Sequence, residues 1–140
     1  MKCNILALFA CAGLPALAQP TDFTTPEGAA FIHQQIAAGI LGFTEQGEND
    51  LIYFTQLLAW RCGVQEVYYG FNSDLPVNRL PLEPCHRDLA NPNTMKETGA
   101  GPYPLFITVP KGAAQQVRMR VIYEDGHSAS FVSERAKSLF

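Results

Sequence analysis

The residues best placed to do chemistry fall in one stretch, Glu83 to Tyr103, EPCHRDLANPNTMKETGAGPY. An imidazole (His86), a guanidinium (Arg87), a carboxylate (Asp88) and two amides (Asn91 and Asn93) crowd into a short run there. Such a set can hydrogen-bond a polar ligand, move a proton or pair with a charged partner. Trp60 and Arg61, which precede Cys62, are the remaining candidates for binding, because a bridge from Cys62 to Cys85 would bring them beside the polar run. The plainer reading is that Asp88, Asn91 and Asn93 make local turn bonds and that Arg87 pairs with a surface carboxylate.

Catalytic chemistry finds little to work with. Nucleophilic catalysis needs a Ser or Cys beside a base, yet both cysteines outside the N-terminal segment are expected in a bridge, and no G-x-S-x-G occurs. Zinc would need His33, His86 and His127 to converge from three distant segments, with no short ligand spacing. Asp88, Asn91 and Asn93 lack the ligand number and glycine placement of a calcium loop. Glu66, Glu83 and Asp88 could meet as paired carboxylates for glycoside chemistry, although their spacing does not assign them. No phosphate loop or dinucleotide fingerprint is present, so no cofactor is implied.

Positioning begins with export. Lys2 precedes the apolar run Ile5 to Ala12, and Ala16-Leu17-Ala18 before Gln19 has the small-x-small form of a signal-peptidase site. Residues 1–18 are expected to be a signal peptide and residues 19–140 a single β-rich domain, periplasmic or extracellular. A lipoprotein would use Cys11, but Phe9 and Ala10 fit the lipid-attachment pattern poorly. The run is shorter than the about 20 apolar residues of a spanning helix, so no membrane span is expected after cleavage. Two cysteines then remain, and in an oxidising compartment they read as one bridge, Cys62 to Cys85. Closing a loop of about 24 residues contributes roughly 3.5 kcal/mol by the chain-entropy account. That is a large part of the about 5–15 kcal/mol of a typical domain.

Thr24-Thr25-Pro26-Glu27 reads as a helix start, and a helix over about 26–38 is expected. Ala29, Ile32, Ile36 and Ile40 supply its apolar stripe, with His33, Gln34 and Gln35 on a solvated face. Phe43 to Asp50 is polar and contains Gly47, and reads as a loop. Leu51 to Arg61 is read as a strand from its β-formers Ile52, Tyr53, Phe54 and Thr55, the alternative being a second helix at 50–62 ended by Gly63. Leu57 to Asn72, LLAWRCGVQEVYYGFN, then forms a corner at Gly63 from which two antiparallel strands leave, with Val67, Tyr69 and Phe71 on the buried side. Leu105 to Val109 is a short strand. Val117 to Tyr123 alternates and leads into Glu124-Asp125-Gly126. A three-residue loop with Gly126 left-handed sets Tyr123 opposite His127, Val121 opposite Ala129 and Met119 opposite Phe131, and gives one clean apolar face.

The order is helix, strand, turn, strand, proline-rich connection, strand and hairpin, which makes the chain mainly β. Here GVQEVYYGFN resembles the third strand of immunoglobulin-like and fibronectin-III-like extracellular modules, and LFITVPKGAAQQVRMRVIYEDGHSASF resembles their last three strands. The resemblance implies a small antiparallel sandwich with one N-terminal helix. It departs from the antibody-type domain in its bridge, since Cys85 lies in an irregular segment. It also implies a binding or scaffolding role, though a fold does not fix a function.

Residues 19–110 carry four basic and ten acidic side chains, and residues 111–140 five basic and three acidic. The C-terminal hairpin is thus a mildly positive face on an acidic body, and nucleic acid is not an expected partner. The leading expectation is a noncatalytic exported module that binds a protein or glycan partner. The alternatives are a small secreted hydrolase or metal-dependent enzyme, suggested by three histidines and several acids, and a structural subunit of an envelope complex.

Overall fold

The computed structural model describes residues 13–140. The apolar run of the expected export signal lies outside these residues, and no helix among them is long and apolar enough to cross a membrane. Seven strands form two antiparallel sheets. A three-stranded sheet has the order β1-β2-β5, from Gly42–Gln46, Asn49–Tyr53 and Phe106–Pro110. A four-stranded sheet has the order β4-β3-β6-β7, from Asn78–Leu80, Val64–Phe71, Gln116–Tyr123 and Ser128–Glu134. Phe43, Ile52 and Phe54 from the first side and Val67, Val117, Met119 and Val121 from the second share one buried core. The chain is mainly β, as its alternation implied.

The N-terminal helix α1, Pro26–Gln35, is shorter than expected and passes into a 3₁₀ turn at Ala37–Gly39. The Thr25 hydroxyl accepts from the Gly28 N–H at 3.1 Å, and Pro26 stands at the first helical position. His33 corrects the expected solvated face: it is wholly buried, its ring 5.7 Å from that of Tyr123 and 6.3 Å from that of Phe131. The buried line along α1 runs through Ala29 and His33, a four-residue step one position away from the isoleucine stripe.

The region 43–61 also differs from expectation. The polar stretch is no loop but a hairpin, β1 paired with β2 from Gly42↔Tyr53 to Gln46↔Asn49 around Gly47 and Glu48. Its polar residues face outward or meet partners supplied from elsewhere in the chain. The strand and helix readings of 51–61 divide the segment: β2 ends at Tyr53, and a single helical turn, α2, covers Thr55–Leu58. No two strands leave one corner, because β2 pairs with β1 and β5 while β3 pairs with β4 and β6. Gly63 is nonetheless a true corner. It adopts φ 85°, and a Cβ there would lie 2.6 Å from the Thr25 carbonyl oxygen, so the chain turns directly beneath the start of α1.

The last hairpin follows the expected register. Tyr123 N–H donates to the His127 carbonyl at 2.8 Å, Gly126 takes φ 89°, and Val121↔Ala129 and Met119↔Phe131 are paired. After β7, α3 (Arg135–Ser138) carries Arg135 back across the sandwich. Its Nε donates to Asp50 Oδ2 at 2.7 Å and its Nη2 to Asp50 Oδ1 at 3.0 Å and Glu45 Oε1 at 2.6 Å, joining the end of the second sheet to the first hairpin.

Candidate functional site

Arg61 follows α2 directly and points into the protein, with its side chain 2% exposed. Every part of its guanidinium reaches a backbone carbonyl. Nε donates to Glu83 O at 2.6 Å, Nη1 to Asn93 O at 2.8 Å and Leu58 O at 3.4 Å, and Nη2 to Pro84 O at 2.9 Å and Thr94 O at 3.0 Å. Only a planar fork with donors along several directions can gather carbonyls from three separate segments in this way. Glu83 does the complementary task for donors. Its Oε1 accepts from Lys96 N–H at 2.7 Å and meets His86 Nε2 at 2.5 Å, while Oε2 accepts from Thr98 N–H at 2.7 Å and Thr98 Oγ1 at 2.6 Å. The two buried charges lie 3.7 Å apart.

A segment without sheet or helix must find other partners for its backbone groups, because unpaired buried ones are expensive. Arg61 and Glu83 supply those partners for residues 83–98. The Asn93 side chain adds one more, accepting the Cys62 N–H at 2.8 Å. Beside it the Cys62–Cys85 disulfide closes the loop, with the two Cα atoms 5.0 Å apart. Burial alone would push the Glu83 carboxyl pKa up. The hydrogen bonds from Thr98, His86 and the backbone of Lys96 and Glu97 outweigh it and hold the group well below the usual carboxylate range.

The candidate residues therefore divide. Arg61 and Asn93 are buried and their named bonds hold the loop together. Trp60 is half-buried and meets Phe23 edge to face at 5.9 Å, and Phe23 stacks on Phe31 of α1 at 6.5 Å. His86 is half-buried on Glu83. Arg87, Asp88 and Asn91 are exposed on a turn that the His86 N–H closes onto the Pro92 carbonyl at 2.9 Å. Arg87 also reaches Glu124 at 3.3 Å. A cleft of about 390 Å³ runs beside this turn between Arg61, Gln65, Leu82, Cys85, Arg87 and Glu124.

The other chemically capable groups are dispersed. His33 Nδ1 lies 2.9 Å from Tyr123 Oη, and its Nε2 makes no hydrogen bond. Burial lowers the His33 pKa to about 4, although the nearby Leu57 and Trp60 carbonyls favour a ring proton. His127 pairs with Asp125 at 2.7 Å on the exposed hairpin turn. Glu66 is engaged by Arg79 and Tyr68 on the second sheet, apart from the bonds that Glu83 makes. Among the described residues no group of three or more His, Cys, Asp or Glu is placed to hold a metal ion.

Two features had no sequence signal. Glu83 is the acceptor hub of the loop, and Asp50 is a buried carboxylate held by Arg135 and the Gly112 N–H at 2.9 Å. The Arg135 hydrogen bond is the largest influence on Asp50 and brings its pKa down to about 2. A larger groove of about 640 Å³ lies elsewhere, between Leu41, Tyr53, Gln56, Lys137, Leu139 and Phe140. No family model matches the chain, and no curated protein or solved structure is found to be similar to it.

Proposed function

We propose that this protein is an exported, noncatalytic binding module of the cell envelope, built as an immunoglobulin-like or fibronectin-III-like sandwich. Its contact surface is the turn bearing His86, Arg87, Asp88 and Asn91. The observation that carries this reading is the hub beneath the turn. Desolvating a guanidinium and a carboxylate costs several kcal/mol per ion before their contacts offset it. A long irregular segment is held in one shape by that pair, and a loop ordered in advance loses less entropy when it binds. The strand orders β1-β2-β5 and β4-β3-β6-β7 support the module reading, since fibronectin-III-like domains divide their seven strands between two sheets in this way.

The test is partner recovery from the native envelope. A photoreactive side chain placed at Asp88 or Asn91 is expected to crosslink a defined protein or glycan. Arg87→Ala, Asp88→Ala and Asn91→Ala together are expected to abolish that product without lowering thermal stability, because all three side chains are exposed. An unchanged product with the triple variant rules this surface out.

A further inference from the structure

Val67 on β3 and Met119 and Val121 on β6 turn inward, so the alternate residues form the outer face of the four-stranded sheet. Three exposed arginines stand on that face, Arg79 on β4 and Arg118 and Arg120 on β6. Register aligns Arg79, Tyr68, Arg120 and Ser130 in one row and Gly70, Arg118 and Val132 in the next. The carboxylates on this face are already engaged: Glu66 lies 3.5 Å from Arg79, and Glu134 lies 2.6 Å from Lys137. Among the described residues neither Arg118 nor Arg120 has an ion-pair partner. Apolar groups adjoin them. Val132 is 55% exposed, and Leu75 and Val77 are 72% and 71% exposed on the connection that packs its Leu75 carbonyl over Gly70.

We propose that this face docks an extended acidic segment of a partner protein. Two guanidiniums without carboxylates, on a body where residues 19–110 carry ten acids against four bases, call for negative charge from outside. Arg118 and Arg120 are two residues apart on one strand, about 6.8 Å, which is also the repeat of carboxylates at alternate positions of an extended peptide. Val132, Leu75 and Val77 give apolar side chains of such a peptide a seat, and a polyanionic glycan has nothing to place there. Arg and Tyr are residue types enriched at protein interfaces. The inference rests on the reading of the domain as a binding module, but it uses a different surface from the 86–91 turn.

The experiment follows the anisotropy of a short labelled peptide alternating Glu and Val, titrated with the mature protein at low and physiological salt. Binding is expected to weaken with salt and to fall by about tenfold or more in Arg118→Glu/Arg120→Glu. The Arg87→Ala/Asp88→Ala/Asn91→Ala variant is expected to bind as the wild type does, so failure at one surface is read separately from failure at the other. Unchanged thermal midpoints establish that the variants are folded. Absence of peptide binding, or equal binding by the charge-reversed variant, overturns the proposal. Tighter binding of a sulfated polysaccharide through the same arginines also overturns it, as does self-association in sedimentation that the double variant abolishes.

Discussion

Replacing Glu83 by Gln keeps the volume of the side chain and removes its charge, so it isolates what the carboxylate does for the loop. An amide offers one acceptor oxygen where the carboxylate has two. One side, either Lys96 N–H with His86 or Thr98 N–H with its hydroxyl, must then face an NH₂ group. Each buried donor left unpaired costs about 1–3 kcal/mol. Arg61, 2% exposed at its side chain, also loses the counter-charge 3.7 Å away, and breaking a buried pair from one side typically costs about 3–5 kcal/mol. These contributions overlap, and a total of about 3–5 kcal/mol is expected, enough to lower the thermal midpoint by roughly 10–20 °C. Urea denaturation of the two proteins measures the difference, and amide exchange locates it, with protection expected to fall first at Lys96 and Thr98. The folded-state pKa of Glu83 is depressed, so its stabilisation is complete above the unfolded carboxylate range and disappears as pH falls below it. Glu83→Gln should flatten that acid limb. A loss under about 1 kcal/mol with unchanged exchange at these two amides would refute the hub.

Other expectations follow from single contacts. Replacing both Cys62 and Cys85 by Ser should cost about 3.5 kcal/mol or less in the urea midpoint while leaving the sheets intact by circular dichroism, since the loop keeps its Arg61 bonds. His33, with a pKa lowered to about 4, keeps its full contribution above about pH 6.5 and loses it as pH falls from there toward 4, by roughly 3 kcal/mol. His33→Leu should remove this slope while leaving a separate one between about pH 3.8 and 2 from Asp50, and a stability curve against pH distinguishes the two windows. Gly63→Ala and Gly126→Ala both force a side chain into left-handed backbone, at φ 85° and 89°, but only at Gly63 would the new Cβ meet backbone, 2.6 Å from the Thr25 oxygen. Gly126→Ala should cost about 1–2 kcal/mol and Gly63→Ala clearly more, and equal losses would contradict the close packing of α1 on that corner.

What could be read along the chain was local. The β6–β7 register followed from one alternation and one glycine, because a shift by one residue would have turned every side chain to the opposite face. The cysteine pair followed from arithmetic. The start of α1 followed from Thr25 and Pro26, whose effects act within a few residues. The β1–β2 hairpin was missed because only Phe43 is buried on β1, so its polar residues resembled a loop. His33 was misplaced because an isoleucine stripe outweighed an imidazole in the pattern, although Tyr123, 90 positions away, gives that imidazole a partner.

The sequence by itself determined a β-rich sandwich with a bridged, polar excursion, since periodicity, turn chemistry and cysteine number act through neighbours. Only the tertiary structure decided which charges are buried. Arg61 needed carbonyls at Asn93 and Thr94, Glu83 needed amides at Lys96 and Thr98, and Asp50 needed Arg135. A charge leaves water only where enough partners converge to replace its hydration, and that convergence belongs to the folded arrangement of distant segments.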